Sequence, residues 1–129
     1  MTLAPHTATI GRLGEDAACL FLKEKGHSIV ARNFRAGHKE IDIISTTPGE
    51  LHIVEVKTRR GPTDIAPEVN ITPSKMASIT GAAKSFLKSA IMRTLPPDME
   101  VLFDVVTVVI EESGPKINYY PNAYRATYV

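Results

Sequence analysis

KEIDIISTTPGELHIVEVK, residues 39–57, contains two strand-like runs around a turn. Glu40–Ile44 and Leu51–Lys57 carry the β-branched and aliphatic residues of strands, and Thr46-Thr47-Pro48-Gly49-Glu50 between them has the chemistry of a tight connection. Strand side chains alternate faces, so Glu55 and Lys57 point the same way, about 6–7 Å apart along the strand. Val54 and Val56 take the opposite face with His52. In the first run, Ile41 and Ile43 share one face, and Glu40, Asp42 and Ile44 the other. If Ile44 pairs with Leu51, Asp42 faces Ile53 and lies diagonally from Glu55, roughly 7–8 Å away between α-carbons. A slip of one residue would send Asp42 to the other face.

Leu51, Ile53 and Ile44 share the carboxylate side of this hairpin. Carboxylates among apolar neighbours are costly unless paired or bound to a cation. Converging carboxylate oxygens suit a hard divalent ion, Mg²⁺ or Mn²⁺, which keeps several waters and also takes phosphate oxygens. Such an ion acidifies a bound water and neutralises charge on a phosphate, and a neighbouring ammonium such as Lys57 adds to both effects. Taken alone, however, Glu-x-Lys in a strand is more simply a solvated pair, and an Asp42–Lys57 salt bridge explains it equally well.

Outward from the hairpin, the periodicity predicts a helix over residues 9–25, with Ile10, Leu13, Ala17, Leu20 and Phe21 on its core stripe and Gly26 as the left-handed stop. Glu15, Ala18 and Leu22 fall on the adjoining stripe, while Arg12, Asp16 and Lys23 face solvent. His27–Phe34 reads as a strand, which makes a three-stranded antiparallel meander with the hairpin. Residues 59–70 read as a loop broken by Gly61-Pro62 and Pro67. Thr72-Pro73 opens a second helix, Thr as N-cap and Pro at the first position. It should run to about Arg93, burying Met76, Ile79, Ala83, Phe86, Leu87 and Ala90. A strand at Val101–Ile110, a Ser113-Gly114-Pro115 turn and a short strand at Lys116–Tyr120 complete the pattern; the tail from Asn122 gives no clear signal. The expected fold is one α/β domain over residues 1–129, in the order α-β-β-β-α-β-β.

The chain has 129 residues, 43% hydrophobic and 22% charged, with a net charge of +1 and one cysteine. That length suits one domain with its own core. Cys19 excludes an internal disulfide, and no Cys/His spacing resembles a zinc site. No run approaches the roughly 20 apolar residues that span a bilayer, and the start lacks a signal-peptide pattern, so a cytoplasmic location and no membrane partner are expected. A nucleic-acid binder usually carries a basic excess, so any such footprint here must be local.

GRLGEDAACLFLKEKGHSIVARNFR, KEIDII and HIVEVKTRRG, followed by ITPSK and LFDVV, resemble in order and spacing the YraN family of small bacterial proteins. The resemblance runs from about Ile10 to Tyr124. That family is itself similar to the PD-(D/E)xK nucleases, restriction-endonuclease-like and Holliday-junction-resolvase-like. The resemblance implies a restriction-endonuclease-like three-layer fold, a central mixed sheet flanked by helices, and a metal-dependent endonuclease acting on DNA, with Asp42, Glu55 and the helix-borne acid Glu15 as metal ligands and Lys57 as the lysine of the E-x-K pair. It also implies a homodimer. Two positions depart from the family pattern: Lys39 stands before Glu40 where glycine is usual, and Met76 replaces a glutamine.

Arg59 and Arg60, directly after the metal-site strand, are the first candidates for phosphate contacts, with Arg35, Lys39, Lys75 and Arg32 around them. His6, His27, His38 and His52 lack ligand-like spacing and read mostly as surface residues. Cys19 reads as a packing residue. Asp104, an acid in an apolar strand, reads as the partner of a base, and Tyr119, Tyr120 and Tyr124 as packing residues able to stack on bases. The competing reading of the whole chain is a module that binds nucleic acid or a protein partner without cutting.

Overall fold

The computed structural model describes residues 7–63 and 69–124. Pro67, His6 and the tail beyond Tyr124 lie outside them. The elements run α1 (Thr7–Glu24), β1 (Ser28–Ala36), β2 (Lys39–Thr47), β3 (Glu50–Arg60), α2 (Pro73–Leu87), a 3₁₀ turn at Met92–Thr94, β4 (Glu100–Glu111) and β5 (Gly114–Tyr124). This is the expected α-β-β-β-α-β-β order.

The five strands lie side by side in chain order. The first three form the antiparallel meander. β4 is parallel to β3 from Glu50↔Glu100 to Arg60↔Ile110, and β5 returns antiparallel. The parallel pair needs a long crossover, which α2 supplies. Each face of the sheet has its own core. Ile44, Leu51, Ile53 and Phe103 pack with Ile79, Ala82, Ala83 and Phe86 of α2. Ile43, Val54, Val106 and Val108 pack with Ala18, Cys19 and Leu22 of α1. Three layers result, with strands buried on both sides, as a mixed sheet between helices requires.

The β2–β3 hairpin departs from the expected register by two residues: Ile44 faces Ile53 and Thr46 faces Leu51. The turn is only Pro48-Gly49. Thr47 and Glu50 are already paired, the Thr47 hydroxyl donates to Glu50 Oε1 at 2.8 Å, and Gly49 takes φ +77. A shift of two conserves parity, so the carboxylate face survives. Strict alternation fails nearby, however. Ile41 belongs to the α2 core and Ile43 to the α1 core, not to one face. The β2–β3 ladder stops at Ile43↔Val54, and Asn33, opposite this stretch on β1, has φ +50. Strand β2 therefore leaves the regular pleat around Asp42.

Both helices differ in detail from expectation. On α1 the buried row is Ile10, Ala18 and Leu22, with Cys19, while Leu13 and Leu20 are 41% and 60% exposed. The stripe is rotated toward Glu15 because the helix settles on its small residues, Gly14 and Ala18, where the backbone can approach the sheet closely. Gly26 ends it at φ +95, with the His27 N–H donating to the Leu22 carbonyl at 2.9 Å.

Helix α2 starts as expected, with Thr72 Oγ1 accepting from the Lys75 N–H at 3.1 Å. It ends at Leu87, six residues before Arg93. The N–H groups of Lys88 and Ser89 fall back onto the carbonyls three residues earlier, the tightening common at helix ends. Leu87 and Ala90 are exposed, so burial offers nothing to extend the helix. At the other end of the chain, β5 reaches Tyr124, beyond the expected Tyr120. Among the described residues no helix is long and apolar enough to cross a membrane.

Candidate active site

The end of the β2–β3 ladder sets the site. Continuing its register one step brings Asp42 opposite Glu55. Instead of closing another ladder pair, the Val56 N–H donates to Asp42 Oδ2 at 2.8 Å. The Asp42 and Glu55 carboxyls are close enough for each to act on the other's titration. Glu55 is buried, at 8% exposure. Burial first, then the Asp42 charge, pushes its carboxyl up to about 7, against the pull of Lys75 and Lys57. Burial also raises Asp42, while the Val56 N–H and Lys75 lower it. Near neutrality the pair shares a proton, because two adjacent buried carboxylates resist double ionisation.

Two ammonium groups flank this pair. Lys75, in the first turn of α2, places Nζ 3.6 Å from Glu55 Oε1. Lys57 is partly buried, and its Nζ donates to the Asn70 carbonyl at 3.4 Å. The Asp42–Lys57 salt bridge that the pattern alone allowed is not among the ion pairs of the described residues.

Glu15 approaches from α1. Burial raises its carboxyl, and the Asp42 charge adds to that. Gly14 is what lets the helix come so near: a Cβ there would collide with the Thr58 side chain of β3. No three His, Cys, Asp or Glu side chains converge into a ready-made metal cluster among the described residues. Glu15 therefore stands beside the Asp42–Glu55 pair and does not complete a three-ligand cage with it.

The residues favoured for phosphate contacts divide. Arg59 and Arg60 are exposed at the end of β3, and Arg59 keeps the strand parity of Glu55 and Lys57. Arg35 pairs with Glu40 at 3.9 Å. Lys39 lays its side chain over Gly81 of α2. Arg32 is tied to Asp16 at 2.7 Å and lies 3.8 Å from Glu15. Arg12 is exposed, as its place on the solvated side implies, and also lines a cleft of about 530 Å³ with Gly11, Glu15, Arg32 and Asn33. Helical spacing brings Arg12 within three residues of Glu15, the signal that could have marked it.

Two histidines are buried, not at the surface. His27 and His52, at 8% and 3% exposure, stack at 4.4 Å between ring centroids. His27 Nδ1 bonds the Ser45 hydroxyl at 2.8 Å. Asp104, fully buried, takes His52 Nδ1 and the Tyr119 hydroxyl on Oδ2, each at 2.6 Å, and the Asn122 N–H on Oδ1 at 2.8 Å. These bonds hold its carboxyl below the usual range although burial pushes the other way. Asp104 thus has the basic partner the sequence suggested. His38 is exposed and Cys19 is buried in helix packing.

A family model described as "Uncharacterised protein family UPF0102" matches residues 14–108, a span holding Glu15, Asp42, Glu55, Lys57 and Lys75. A UPF0102 protein of Syntrophomonas wolfei is 37% identical over 115 residues, 89% of this chain and 96% of that protein. One from Pelobacter propionicus is 36% identical over 98% of this chain and 90% of its own. Another, from Bacteroides thetaiotaomicron, is 36% identical over 95% and 96% respectively.

Proposed function

Because the chain belongs to the uncharacterised protein family UPF0102, the YraN family, we propose from its site that it is a divalent-metal-dependent endonuclease hydrolysing DNA phosphodiesters. The observation that carries the reading is the buried Asp42–Glu55 pair with Lys75 and Lys57 beside it. Buried carboxylates that share a proton offer a place where a cation can displace that proton, and this donor set fits Mg²⁺ or Mn²⁺. Mg²⁺ is usually held by one or two carboxylates plus waters and phosphate oxygens, so a full protein cage is not required.

In this reading Asp42 and Glu55 hold the ion, and Glu15 supports it through water. Bound there, the ion would acidify a water and neutralise phosphate charge. Lys57 orients the attacking water and Lys75 shields charge on the phosphate, acting as fixed charges in a partly desolvated site. Hydrolysis forms one P–O bond to the water oxygen and breaks one to a sugar oxygen, which leaves with a proton. Arg12 and Arg59 hold neighbouring phosphates without reading sequence.

The test is a cleavage assay on branched, single-stranded and duplex DNA with Mg²⁺ or Mn²⁺. Wild type should cut at least one of them, and Lys57→Ala should slow cutting about a hundredfold or more, the scale of losing one charge-stabilising group. Equal traces for the two proteins would remove the catalytic role of Lys57. One observation favours a second reading, a module that binds without cutting: the acids do not form a three-ligand cluster. Metal-independent, salt-sensitive DNA binding with no cleavage of any substrate would select it.

A further inference from the structure

Between the start of α2 and the end of β5 lies a groove of about 640 Å³ bordered by Asn70, Met76, Tyr119, Tyr120, Ala123 and Tyr124. Its size falls within the range of small-ligand sites, roughly 300–1,000 Å³. The two walls have different supports. One is the segment whose Asn70 carbonyl accepts from Lys57. The other is a bulge: Phe103 pairs with Tyr124 and Val105 with Tyr120, so residues 121–123 stand opposite Asp104 alone.

Asn122, at φ +50, anchors that bulge through its N–H on Asp104 Oδ1. The Asp104 network therefore shapes the groove, and its Tyr119 is part of the lining. Tyr119 is committed to Asp104 and to edge contacts with Phe21 and His27. Tyr120 is 36% exposed. The Tyr124 hydroxyl is buried with no hydrogen-bond partner among the described residues, and the charges of Glu55 and Asp42 act on its phenol. The groove meets the site at Asn70, whose carbonyl accepts from Lys57.

We propose that this groove receives one unpaired nucleobase of the DNA strand held at Asp42 and Glu55, with Tyr120 as its stacking surface and the Tyr124 hydroxyl as a polar contact. The proposal rests on the nuclease reading and specifies its substrate: DNA with an unpaired base next to the phosphate at the site. An aromatic face accepts any base, since every base has a π-face. The groove's position fixes where that base must lie. It abuts Lys57, two residues beyond Glu55 on β3, through Asn70, so a base within it belongs to a nucleotide whose phosphate lies next to the site.

The test measures binding to wild-type protein by fluorescence anisotropy with Mg²⁺ present, both probes carrying phosphorothioate linkages that slow cutting. Two probes differ by one group: a DNA duplex with a single bulged thymidine, and the same duplex with an abasic sugar in its place. The backbone is shared, so the affinity ratio isolates the base. The thymidine probe should bind about fivefold tighter or more, the scale of one base–aromatic stack. Tyr120→Ala should bring the ratio near one and Tyr120→Phe should restore it. Ala123→Trp, which fills the groove, should collapse the ratio without removing the stacking ring.

A ratio of one in the parent protein, with Mg²⁺-dependent cleavage by wild type intact, overturns the base pocket alone. That is also the result expected if the groove serves an apolar side chain of a protein partner. Failure to bind either probe, with no cleavage by wild type, overturns the nuclease reading and the pocket together.

Discussion

A carboxyl that keeps its proton to about pH 7 when folded, but releases it near 4.5 when unfolded, makes the native state progressively less stable between those values. The sign follows from linkage: the folded state binds more protons there, so stability falls as pH rises. For Glu55 the cost at pH 8 is on the order of 1–3 kcal/mol in the absence of metal. Glu55→Gln removes that charge and keeps the shape. In EDTA its melting temperature should therefore exceed that of wild type, by a margin that widens from pH 5 to pH 8. Added Mg²⁺ should close the gap by stabilising wild type alone. The residues of this pair were legible because strand parity survives a two-residue error in register. The hydrogen bond from the Val56 N–H to Asp42 was not, because it depends on β2 leaving the pleat, which no local pattern announces. The solvated place of Arg12 was legible from its polarity, but that it also borders a cleft with Glu15 depends on how α1 docks.

At the level of elements, two glycines in helices make opposite predictions. Gly14 sits where α1 meets β3, and a methyl group there strikes the Thr58 side chain on its strand. Gly14→Ala should cost about 1–3 kcal/mol by overpacking and shift Glu15 away from Asp42. A methyl on Gly81 meets only the flexible end of Lys39, which can swing aside. Gly81→Ala should then gain the helix propensity that glycine forfeits, about 1 kcal/mol, and raise the melting temperature by roughly 3 °C. Thermal denaturation of the two variants checks both signs. The start of α2 could be read from Thr72-Pro73, because a cap is a local interaction. Its end could not, because whether residues 88–93 continue the helix depends on whether Leu87 and Ala90 find something to bury against. The rotated stripe of α1 has the same origin: periodicity counts apolar residues, but close docking selects the small ones.

Across the whole molecule, the carboxylate site and the buried histidine network respond to acid in opposite ways. In the network, burial and the charge of its neighbour His52 lower His27, while hydrogen bonds lower Asp104. Both groups bind more protons unfolded than folded, so their contribution is lost as pH falls: His27 from about 6.5 downward, Asp104 below the ordinary carboxylate range. In Glu55→Gln, which removes the largest opposing titration, stability should decline steadily from pH 7 to pH 4. A flat or rising profile would mean that the buried histidine network does not couple to folding. The α/β order was readable end to end from sequence, and the alternation of β3 with it, though not that of β2 around Asp42. The network of His27, His52, Asp104 and Tyr119 was not, because it joins four separate strands or strand ends by contacts of no fixed spacing.

The claim on which the rest depends is that Asp42 and Glu55 together take a divalent cation. A calorimetric titration of Mn²⁺ into wild type and Asp42→Asn at pH 7.5 tests it directly. The account predicts saturable binding to wild type that weakens as pH drops below about 7, where the shared proton competes, and that is lost in Asp42→Asn. Equal Mn²⁺ binding by the two proteins, or none by wild type, would contradict it.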